Sequence, residues 1–115
     1  MKKNRKDTLA EIRKEAIARI TNLLKKAGLT RLYISDYSDD SPIVHEHPYD
    51  DNLTYTLDEV ALEEGNKLTF YSSSSWENTS DTADQLDTDT LVSIADWMED
   101  DEEEIMELAK EEEEE

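Results

Sequence analysis

The cations of this chain lie almost entirely at one end. Residues 1–31 hold ten of the 12 Lys and Arg with only Asp7, Glu11 and Glu15 as acids, a sum of +7. Residues 32–115 set Lys67 and Lys110 against the other 28 carboxylates, a sum of −26. A compact form is favoured if the basic end lies near the acidic C-terminal segment and partly neutralises it, within one chain or between two. Hydrophobic residues make up 36% of the sequence and there is one Phe. The length therefore fits one domain, with a thin core of two layers.

The chain has no cysteine, which removes disulfides, thiolate zinc sites and cysteine nucleophiles together. No run of about 18 apolar residues occurs, and the basic start leads into an amphipathic pattern and not into a signal-peptide core. A cytoplasmic protein that does not engage membranes is the expectation.

Residues 9–27 carry the strongest periodic signal. Leu9, Ile12, Ala16, Ile20, Leu23, Leu24 and Ala27 recur at three- and four-residue steps and fall on one helical stripe. Thr8 and Glu11 read as a capping box at its start, and Gly28-Leu29 as a left-handed cap at its end. Residues 30–35 read as a strand with Leu32 and Ile34 on one face, and a long polar segment, 36–52, holds both histidines and both prolines. Residues 53–57 alternate as a second strand, and 60–63 with 67–71 form a hairpin. A three-residue loop, Glu64-Gly65-Asn66, sets Val60 opposite Phe70, Leu62 opposite Leu68 and Glu63 opposite Lys67; a two-residue loop mixes apolar with polar partners. Residues 72–75, all serine, read as the start of a polar connector. Asp87 or Asp89 caps a second helix with Leu91, Ile94, Ala95 and Met98 on its stripe, continuing through Ile105, Leu108 and Ala109. The five acids at 100–104 are its point of weakness.

This order predicts an α+β fold: a small antiparallel sheet of three to four strands, with an N-terminal and a C-terminal helix packed on one face. The other face of the sheet would carry Tyr33, Thr54, Thr56, Thr69 and Tyr71. The domain is expected over residues 1–110, with 1–7 a basic flexible start and 111–115 a disordered acidic tail.

His45, His47 and Asp50 have the composition of a metal site, since two imidazoles at alternate extended positions point the same way and a carboxylate completes a zinc or manganese set. A surface loop in an acidic chain gathers the same residues by chance. The acidic runs lack the spacing and central Gly of an EF-hand. No nucleophile elbow and no phosphate-cradling glycine loop is present, so an enzyme is not expected and no cofactor is implied. The basic end could meet phosphates, but the field of the acidic body opposes direct nucleic-acid binding.

The carboxylates themselves support a sharper reading. Asp81, Asp84, Asp87, Asp89, Asp96, Glu99, Asp100, Asp101, Glu102, Glu103, Glu104 and Glu107 crowd the last 35 residues, with Trp76 a candidate apolar anchor upstream. In composition and size, though in no shared motif, this acidic half resembles small DNA-mimic inhibitors encoded by phages and mobile elements. The resemblance implies a binding protein that occupies the basic surface of a DNA- or RNA-binding partner. The readings from other classes are a self-associating accessory protein, as a homodimer, and a metal-dependent hydrolase built on His45 and His47.

Overall fold

The computed structural model describes residues 5–45, 54–75 and 78–113. Helix α1 spans Arg5–Ala27. It starts a turn before Thr8, so Thr8 lies inside the helix and the expected capping box does not mark its beginning. Its end follows the expectation. Gly28 takes φ 75°, its N–H donates to the Lys25 carbonyl at 3.1 Å, and the Leu29 N–H donates to the Leu24 carbonyl at 2.9 Å. These are the two bonds of a Schellman cap, and Leu29 is buried beside Leu24.

Five strands follow: β1 (Arg31–Tyr33), β2 (Ile43–His45), β3 (Thr54–Glu63), β4 (Lys67–Ser73) and β5 (Asn78–Thr82). The count exceeds the expected three to four, for a simple reason. Strands β1 and β2 lie end to end against the same edge of β3, with Arg31–Tyr33 facing Ala61–Glu59 and Ile43–His45 facing Thr56–Thr54. The sheet therefore has four antiparallel lanes, ordered β1/β2, β3, β4, β5. The hairpin of β3 and β4 has the register its apolar pattern requires, with Val60 opposite Phe70, Leu62 opposite Leu68 and Glu63 opposite Lys67. Both Gly65 and Asn66 adopt positive φ in the turn. The two strands expected at 53–57 and 60–63 are one strand, interrupted by a bulge at Asp58 between the Leu57–Ser72 and Glu59–Tyr71 pairs.

A 3₁₀ turn, Ala83–Gln85, leads to α2 (Thr88–Asp100), whose N-cap is Asp87 accepting from the Thr90 N–H at 2.8 Å. The helix breaks at Asp101, inside the acidic run, and α3 covers Glu102–Glu113. Helix thus begins before residue 8 and continues beyond residue 110.

The helices cover one face of the sheet, as predicted. Ile20, Leu24, Leu91, Ile94, Met98 and Ile105 from the helices meet Leu32, Val44, Leu57, Val60, Leu68 and Phe70 from the strands, all buried. At about 25 cal/mol per Å² of apolar area, a core of this kind supplies the main favourable term of folding. The other face carries, by register, Tyr33, Thr54, Thr56, Thr69 and Tyr71, together with Arg31 and Glu59.

Candidate functional site

Helices α1 and α2 run in the same direction, and the cations of α1 meet the C-terminal segment in sequence order. Arg13 donates to the Ala83 carbonyl at 2.9 Å and to the Thr88 hydroxyl at 3.3 Å. Arg19 bonds both oxygens of Glu99 and one oxygen of Asp96. Lys26 reaches Glu102 at 3.2 Å. The basic end therefore lies along the acidic end within one chain, as the charge division favours. Arg19 is held further toward its charged form by these hydrogen bonds, and the Glu99 carboxyl is held below the usual carboxylate range, chiefly by Arg19.

The acids expected to meet a partner consequently divide into groups. Asp81 is corrected outright: it lies on the core side of β5, paired in register with Phe70, and is 2% exposed. Its neighbours in sequence alternate outward, so the pleat carries this one carboxylate inward. Asp87 caps α2, and Asp84 accepts from the Thr82 hydroxyl at 2.6 Å, a bond that holds its carboxyl below the usual range. Asp96, Glu99 and Glu102 face α1. Asp89, Asp100, Glu103, Glu104 and Glu107 are exposed, Asp101 is half-buried, and none of these six is ion-paired among the described residues. Glu103, Glu107 and Glu111 recur at four-residue steps on α3, which places them on one outward stripe. Trp76, His47 and Asp50 lie outside the described residues. His45 ends β2 opposite Thr54. Among the described residues no group of three or more His, Asp or Glu is placed to hold a metal ion.

The opposite side of the sheet holds a feature that spacing alone does not reveal. A depression with a volume of about 440 Å³ lies over Arg31, Tyr33, Asp58, Glu59, Tyr71 and the β5 segment 78–80. Arg31 contacts Glu59 Oε1 through Nε at 3.0 Å and Nη2 at 2.9 Å, and its Cζ stands 5.8 Å from the centre of the Tyr71 ring. Glu59 is almost covered, at 11% side-chain exposure, while Arg31 is half exposed at 53%. The Glu59 pairing holds the guanidinium more firmly in its charged form. The Tyr71 hydroxyl also lies 3.4 Å from a Glu63 oxygen. The signal for this cluster was the alternation of Arg31 and Tyr33 against Leu32. What brings Glu59 beside them is the pairing of β3 with β1 and β4, which sets it opposite both Tyr33 and Tyr71.

Compared with protein-family models, curated proteins and solved structures, the chain matches none. No helix among the described residues is long and apolar enough to cross a membrane.

Proposed function

We propose that this chain is a small cytoplasmic, non-catalytic binding protein whose α3 carboxylates engage the basic surface of a nucleic-acid-binding protein, in place of the nucleic acid. The observation that carries this reading is the division of the C-terminal acids. Those facing α1 are ion-paired with Arg19 and Lys26, whereas Glu103, Glu104, Glu107 and Glu111 remain exposed on α3. Those four lie along about 12 Å of helix, or one charge per 3–4 Å, close to the ~3.4 Å per phosphate along one DNA strand. On a helix that packs through Ile105 and Ala109, their backbone needs no ordering on binding.

The test is tagged capture from the source cell's lysate, elution in a salt gradient, and displacement by duplex DNA. A nucleic-acid-binding protein that DNA competes away is the expected product. Partners indifferent to DNA contradict the reading.

One observation favours a second reading, self-association. Leu9 and Ile12, on the basic helix, are 45% and 38% exposed although they belong to its apolar stripe. A mass that rises with concentration and collapses in high salt would select that reading.

A further inference from the structure

Tyr33 of β1, Glu59 of β3 and Tyr71 of β4 form one cross-strand row on the face away from the helices. Two strand spacings set the tyrosine Cα atoms about 10 Å apart. Glu59 stands between them in the row, and its carboxylate holds a cation. The group present there is the Arg31 guanidinium, near the Tyr71 face and bonded to Glu59.

We propose that this depression binds a basic side chain of a partner protein, with Tyr33 and Tyr71 as walls and Asp58 and Glu59 as counter-charge. Arg31 is the internal cation that lines it and occupies Glu59 in the free protein. The internal ion pair identifies the chemistry: an aromatic face and a carboxylate together select a cation, and a guanidinium above all, because it is planar and weakly hydrated. Charge balance favours a second cation. The bulge turns Asp58 into the lining beside Glu59, so two carboxylates stand against one guanidinium. Displacement is local, because Arg31 reaches in from the edge lane and its side chain is half exposed. Asn78 and Ser80 at the rim add side-chain acceptors for the remaining N–H groups of an incoming arginine. This surface lies across the sheet from α3, and the proposal stands apart from the role assigned to that helix.

The test is an amide-resolved NMR titration with Nα-acetyl-arginine amide, with Nα-acetyl-leucine amide and inorganic phosphate as comparison probes. Saturable shifts at Tyr33, Glu59, Tyr71 and Ser80 are expected with the arginine probe only. Tyr33→Ala, at an exposed edge position, weakens binding at least about fivefold. Arg31→Gln tightens it, because the internal competitor is gone. Silence at these residues overturns the proposal. So does an equal response to leucine, or a response to phosphate, which would make Arg31 an anion contact. A Glu103→Gln, Glu107→Gln, Glu111→Gln variant keeps the shifts. Their loss in that variant would place the cation on α3 and remove the sheet site, with no bearing on whether α3 binds a protein.

Discussion

Arg19 on α1 grips Glu99 on α2 through both carboxylate oxygens, and one of its amino groups also reaches Asp96. A single guanidinium thus holds together two carboxylates that would otherwise repel each other on adjacent turns. Replacing Arg19 by Gln is expected to lower the urea midpoint modestly with an unchanged slope. The difference from wild type shrinks as NaCl is raised, since these groups are exposed and screened. An effect independent of salt would contradict the ion-pair account.

The pH profile follows from two opposing terms. Asp84 and Glu99 have carboxyl groups held below the usual range, the first chiefly by the Thr82 hydroxyl and the second chiefly by Arg19. Both bind protons less readily folded than unfolded. Their stabilisation is therefore complete above the ordinary carboxylate pKa of about 4 and is lost as pH falls through the lower folded values. Repulsion among the 31 carboxylates, in contrast, eases on mild acidification. The melting temperature is expected to rise from pH 7 to about pH 5 and to fall below about pH 4. At pH 7 it rises with moderate salt. A steady fall with added salt, or on going from pH 7 to 5, would contradict this balance.

Tyr37 packs on Trp97 with ring centres 5.8 Å apart, and its hydroxyl is buried with no hydrogen-bond partner among the described residues. Burial, with Asp101 and Glu104 nearby, holds the phenol well above its ordinary pKa. Tyr37→Phe removes a desolvated hydroxyl and keeps the ring contact. It is expected to leave stability unchanged or raise it by up to about 1 kcal/mol. A loss of more than that in a thermal melt followed by tryptophan fluorescence would reveal a bond this account lacks.

Asp87→Ala removes the side-chain acceptor of the Thr90 N–H at the start of α2. A cost of about 1 kcal/mol is expected, and Asp87→Asn recovers most of it. Phe70→Ala, at the buried centre of the sheet, costs about 3–5 kcal/mol, a large share of the 5–15 kcal/mol typical of a domain. Denaturant unfolding measures both. Equal effects from the two substitutions would overturn the assignment of the core.

The parts of the fold legible in the sequence are those where apolar spacing and a turn residue agree. Gly28 ended α1, and Gly65 and Asn66 fixed the hairpin register, because a one-residue slip would turn Val60 and Phe70 away from the core. Strand β5 was hidden, since Asn78, Thr79, Ser80, Asp81 and Thr82 contain no apolar residue to show an alternation. Strand β2 was hidden for a related reason: three residues carry too short an alternation to stand out of a polar segment. The acidic surface was legible as composition. Its partition was not, because Asp81 turns inward by strand phase and Arg19 selects Glu99 and Asp96 by helix packing. The Arg31–Glu59 pair depends on the pairing of two distant strands and spans 28 positions, and no local pattern announces it.

The most direct measurement captures partners on wild-type protein and on a Glu103→Gln, Glu104→Gln, Glu107→Gln, Glu111→Gln variant side by side, with duplex DNA as competitor. The account predicts a nucleic-acid-binding protein retained by the wild type, released by DNA, and absent from a variant whose fold is unchanged. The same protein retained equally by both, or no DNA-sensitive partner on either, would contradict it.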